Sequence, residues 1–108
     1  MSIKINVSDK VRCKVSGTIA DASGPQPFDF SFVARRLSAD ELADQLTNSD
    51  QLVEEFLAGV IESWQGVKAE AGEIPYSREA LAQLLQIPGI GRLMLGAYIT
   101  DCGARAKN

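Results

Sequence analysis

At Ser38 the apolar residues of this chain change their spacing, and that change limits the fold more than any other feature. Before it the period is two: in "VRCKVSGTI" Val11, Cys13, Val15 and Ile19 alternate with Arg12, Lys14, Ser16 and Thr18, and in "FDFSFVA" Phe28, Phe30, Phe32 and Ala34 alternate with Asp29 and Ser31. Strict alternation is the mark of a strand with one dry face. The intervening "DASGPQP" holds Gly, Pro and Asp, the residues of a turn or short loop, so residues 1–37 predict a β-hairpin, joined by a first strand around Ile3, Ile5 and Val7. A sheet this small must bury its apolar face on helices.

After Ser38 the spacing becomes helical. "SADE" has the capping-box form, with Ser38 as N-cap and Glu41 reaching back, and Leu42 and Leu46 follow on one side of a short helix. Beyond the break "TNSD", the segment "QLVEEFLAGVIESW" sets Leu52, Val53, Phe56, Leu57, Val60, Ile61 and Trp64 on one stripe, which predicts a single amphipathic helix with an acidic opposite face. "QGVKAEAGEIPY" reads as a loop. Ser77 then caps a helix carrying Leu81, Leu84 and Leu85, with Glu79 in its first turn. Pro88 ends that helix, and a last one follows with Ile90, Leu93, Met94, Ala97 and Tyr98 facing inward, before a fraying "CGARAKN". At 108 residues the chain has room for one core. The expectation is a single α+β domain over 1–108, β-rich through 37 and helical from 38, with a small N-terminal antiparallel hairpin or sheet on about four α-helices.

Chemistry is limited by what is missing. The chain has no histidine, which removes the commonest general base and metal ligand and every Ser/His or Cys/His nucleophile pair. No carboxylate cluster has metal-binding spacing and no phosphate-binding glycine loop occurs. Neither catalytic nor metal residues are therefore expected, and no cofactor. Cys13 and Cys102 lack a CxxC spacing and read as small buried hydrophobes. The start "MSIKINVSDK" has no apolar secretory core, and no apolar run is long enough to cross a bilayer, so the expected location is the cytoplasm.

Charge is segregated. Residues 37–64 hold seven acids and no base, while residues 1–36 hold six bases and three acids. Solvated faces explain this, and so would copies stacking head to tail. Arg35-Arg36 reads as a solvated strand end. "QIPGIGR" is the one stretch with a nucleic-acid signature: Leu84, Ile87, Pro88, Gly89, Ile90 and Gly91 match a helix-hairpin-helix, with Arg92 as phosphate donor. Against it, Leu95 stands where that module favours alanine, further bases downstream are only Arg105 and Lys107, and the chain carries a net charge of −3. A close turn between two helices accounts for the same residues, so nucleic acid is not the expected partner.

The block "WQGVKAEAGEIPYSREALAQLLQIPGIGRLMLGAYI" resembles the shared half of the tail assembly chaperones of long-tailed bacteriophages and prophages. The features are Trp64, Gly66 and Val67; Glu70, Gly72 and Pro75; Tyr76 and Ser77; the leucines 81, 84 and 85; Pro88 and Gly89; then Leu93 and Tyr98. "PFDFSFVARRLSADEL" is similar to that family's strand-to-helix entry. The resemblance implies a non-catalytic protein that coats the tape measure protein, recruits tail tube subunits, forms a homo-oligomer, works in the cytoplasm of the bacterial host and is absent from the mature virion. It also implies a longer product made by ribosomal slippage near Ala106-Lys107-Asn108. Its candidate partner-binding residues are Trp64, Gly66, Val67, Pro75, Tyr76 and Arg92. A virion structural adaptor, such as a head-tail connector or tail terminator, is the alternative of similar size, and the helix-hairpin-helix module is the other.

Overall fold

A computed structural model describes residues 2–3, 8–47, 52–69 and 72–103. Strand β1 (Lys10–Asp21) and strand β2 (Gly24–Arg35) form the expected hairpin, paired from Lys10 opposite Arg35 to Asp21 opposite Gly24. The connection is only Ala22-Ser23, with the Asp21 carboxylate accepting from the Ala22 N–H at 2.6 Å. The expected loop is thus mostly strand, and Pro25 and Pro27 lie inside β2. They are tolerated because they are two residues apart and turn their donorless nitrogens to one edge. The third strand pairs with β2 only from Ser31 to Ala34, leaving that edge uncovered at the prolines.

That third strand comes from an unexpected place. Ile3 is 86% exposed and outside any strand, and Lys4–Val7 fall outside the described residues. Instead, helix α2 (Val53–Val60) stops at Val60, and β3 (Ile61–Gln65) continues without a linking residue to give the sheet order β1-β2-β3. The single helix predicted through Trp64 is therefore wrong in its last turn. A β-bulge explains the false signal. Trp64 stands opposite Phe32 and Ser63 opposite Val33, but Ile61 stands opposite Ala34, so Glu62 is the extra residue. The bulge puts Ile61 and Trp64, three apart, on the same buried face while Glu62 and Ser63 stay exposed. Spacing i to i+3 fits a helix equally well.

Helix α1 (Ala39–Thr47) has the predicted capping box: the Glu41 N–H donates to Ser38 Oγ at 3.2 Å, and the Ser38 N–H to Glu41 Oε1 at 3.1 Å. Those bonds hold the Glu41 carboxyl below its ordinary range. No α1 side chain is fully buried, and Leu46 is 48% exposed. The region expected to be a loop contains a second small ladder, β4 (Lys68–Ala69) with β5 (Gly72–Glu73), so residues 38–108 are not purely helical. Ser77 caps helix α3 (Arg78–Leu84) by accepting the Ala80 N–H at 3.0 Å. Helix α4 (Ile90–Cys102) follows the Pro88-Gly89 turn.

One core joins these parts. The inner row of the sheet, Val11, Cys13, Val15, Phe30, Phe32, Ala34, Ile61 and Trp64, meets Phe56, Leu57 and Val60 of α2, Leu81 of α3, and Ile90, Met94 and Tyr98 of α4. α4 packs on β1, and α2 packs on α3 and α4. Tyr98 is fully buried. Its hydroxyl donates to the Arg35 carbonyl at 2.7 Å and accepts the Leu37 N–H at 3.2 Å, tying α4 to the end of β2. Burial raises its pKa above the ordinary tyrosine value. Arg36 is more than a solvated strand end, since its guanidinium donates to the Ser8 carbonyl at 2.9 Å and to the Cys102 carbonyl at the C-terminus of α4. Cys102 is buried in the last turn of α4, as its reading as a small buried hydrophobe expects, although it opens the stretch expected to fray.

Candidate functional site

Four of the six candidate residues form one knot behind β3. The indole Nε1–H of Trp64 donates to the Ile74 carbonyl at 2.9 Å, and the Tyr76 ring meets the indole edge-on at 5.0 Å and 86°. The Gly66 N–H donates to Glu73 Oε1 at 2.7 Å, and Val67 is buried with its carbonyl accepting the Ile74 N–H. Gly66 has φ +87°, and a Cβ there would lie 3.3 Å from the Asp29 carbonyl oxygen and from Phe30. Only glycine allows β3 to turn this close beneath β2. Trp64 and Val67 are therefore spent on the core, Tyr76 is half-buried, and Pro75 stands exposed beside the knot.

Arg92 lies elsewhere, at the start of α4. Gly89, at φ +92°, N-caps that helix, the Leu93 N–H donates to the Gly89 carbonyl, and Arg92 is exposed. The glycine turn lets α4 start a few residues after α3 ends and pack on β1 and α2.

The tip of the hairpin brings these two places together. Ile19 and Phe28 extend the inner row of the sheet past the point where helices cover it, and they face Ile87, Ile90 and Leu93 across a trough. The trough opens as a 540 Å³ hollow toward Arg92 and a 220 Å³ hollow toward Gly66, Val67 and Lys68. Gly17 makes room for it, since a Cβ there would meet the Phe28 ring at 3.1 Å and Leu93 at 3.5 Å. Leu93, expected to face inward, is 43% exposed, and Ile19 is 37% exposed. Sequence reasoning missed these walls. Their signal was available: Ile19 prolongs the apolar alternation of β1 opposite polar Gln26, beyond the length that short helices can cover.

Apolar walls with a cation at each end, Arg92 and Lys68, suit an amphipathic segment of another protein. The buried Cys13 thiol offers no competing chemistry at neutral pH: burial first, then the Asp101 carboxylate and Cys102, push it up to about 12. Among the described residues, no group of three or more His, Cys, Asp or Glu is placed to hold a metal, and no helix is long and apolar enough to cross a membrane. No protein family, curated protein or solved structure matches the chain.

Proposed function

We propose that this protein is a non-catalytic tail assembly chaperone of a bacteriophage or prophage, acting in the host cytoplasm and left out of the finished virion. On this reading it shelters the tape measure protein and recruits tail tube subunits as several copies line the same chain. The observation that carries it is the trough: half-exposed Ile19 and Leu93, flanked by Arg92 and Lys68, carry the apolar face of the core out to the surface. A tape measure protein is long and rich in helix. An amphipathic helix of such a chain can lay its apolar face in a groove of this kind and stay soluble. The resemblance in Trp64–Ile99 supplies the identity of the partner.

The test is co-expression with the tape measure protein encoded nearby, followed by pull-down and size-exclusion chromatography with light scattering. The expected result is a soluble complex holding several copies of this chain, which Leu93→Glu and Ile19→Glu weaken without unfolding it. Failure to associate at any salt concentration would remove the reading. Recovery of the protein from purified particles would favour a head-tail connector or tail terminator instead.

A further inference from the structure

The far side of β1 carries a second groove, which meets the trough at Leu93 and Arg92. Among the described residues β1 pairs only with β2, so its other edge presents a row of backbone N–H and C=O groups without a strand partner. α4 runs alongside that edge, and between them lies an open groove of 700 Å³. Its helical wall is Leu93, Gly96, Ala97 and Thr100, the i, i+3, i+4, i+7 face of α4. Small side chains on that face keep the helix from filling the groove. From Leu93 to Thr100 the helix rises about 10 Å, which an extended chain covers in about three residues.

We propose that this groove takes an extended acidic segment of a partner protein, which adds to β1 as a further strand. Main-chain hydrogen bonds along the edge would supply affinity, and the helix wall would admit alternate side chains. Charge selects the occupant. Lys14 on the strand and Arg92 on the helix stand on opposite walls, both exposed, with Asp101 at one end. Arg12 adds a further cation to the strand, its guanidinium lying over the outer face near Ser31 and Gln65 at 3.5 and 3.4 Å. A second copy is the wrong occupant: pairing β1 antiparallel with itself about Arg12 sets Arg12 against Arg12 and Lys10 against Lys14 of the other copy, and like charges across a ladder are destabilising. A segment with Asp or Glu at alternate positions meets opposite charge instead. The proposal does not depend on the tail-assembly reading.

The test uses synthetic probes on the full chain. An end-blocked alternating Glu/Val peptide of about eight residues is titrated while the backbone amides are followed by NMR shifts and hydrogen exchange. Three controls accompany it: the same peptide N-methylated at alternate amides, an alternating Lys/Val peptide, and an oligothymidylate of similar length. The expected result is binding of the Glu/Val peptide with new protection at alternate β1 amides between Arg12 and Thr18, and affinity about tenfold weaker for the N-methylated form. Lys14→Glu should weaken binding by a similar factor. Gly96→Leu should abolish it while the protein stays folded, because a Cβ at Gly96 meets nothing within 4 Å and leucine favours helix more than glycine does. No binding by the Glu/Val peptide would overturn the proposal. So would equal binding of the N-methylated peptide or displacement by oligothymidylate, either of which would mean a diffuse anion patch. Protection of the β1 edge that grows with protein concentration alone would overturn it in favour of self-association.

Discussion

The β1–β2 hairpin and the α2–β3 segment feed the same core but are held in different ways. The hairpin closes on itself: twelve cross-strand pairs run in unbroken register from a two-residue turn, and from Val11 to Val15 and from Phe30 to Ala34 every second side chain is buried in the core. The α2–β3 segment changes from helix to strand between Val60 and Ile61, and its strand half pairs with β2 through a bulge. One region is specified by its own alternation. The other takes its form from the surface on which it docks. The difference also separates rigid register from tolerant register, because a bulge can absorb a residue that a regular ladder cannot.

Single-residue deletions test that contrast most severely. Removing Lys14 slips half of β1 and turns either Val11 and Cys13 or Val15 and Ile19 to the solvent face. With each displaced apolar side chain costing ~1.5–3 kcal/mol, the expected result is a chain that no longer unfolds cooperatively in a calorimetric scan. Removing Glu62 should cost only about 1 kcal/mol or less in urea unfolding, because Trp64, Ser63 and Ile61 keep their partners and the strand becomes regular. The exposed Lys10–Glu62 pair lost with it contributes little. If residues 61–64 were helical, the same deletion would swing Trp64 off the buried stripe and prove as damaging as the first.

Trp64→Ala should destabilise by ~3–5 kcal/mol, comparable to Phe32→Ala opposite it, as measured by chemical denaturation. A much smaller loss at Trp64 than at Phe32 would mean that β3 docks loosely on the hairpin. Gly66→Ala should cost about 1–3 kcal/mol, from positive φ and from crowding against Asp29 and Phe30, in the same assay. At the low end, Leu46→Ala on α1 should change stability by no more than about 0.5 kcal/mol, since no α1 side chain is fully buried. A larger loss would show that α1 packs on something in solution.

The parts legible in the chain are those whose causes are local. The alternation from Val11 to Ala34, the Ser38/Glu41 box, the Ser77 cap and the Pro88-Gly89 stop all act over a few residues, and all occur where the pattern sets them. Of the candidate site, Trp64, Gly66, Val67 and Tyr76 were legible as a group, and the structure joins them through the indole bond to Ile74 and the ring contact. Trp64 was legible as core from its place on the apolar stripe; that Val67 is buried with it was not, because Gly, Pro and aromatic residues mark a tight structural knot as readily as an exposed contact loop. The trough walls were not legible either, since Ile19, Phe28, Ile87 and Leu93 meet only when the hairpin tip folds over the α3–α4 turn.

By itself, then, the sequence determined an α+β domain, the hairpin and its inner face, the starts of α1 and α3, and the turn into α4, because alternation and capping are satisfied by near neighbours. The tertiary structure alone decided that Ile61–Gln65 is a strand, that Leu93 and Ile19 line a trough, and that α1 sets only Leu42 against the core while Leu46 stays exposed. In each case the deciding contact is distant in the chain: at 61–65 an i to i+3 apolar spacing satisfies both a helix and a bulged strand, and which forms depends on whether β2 offers an open edge beside it.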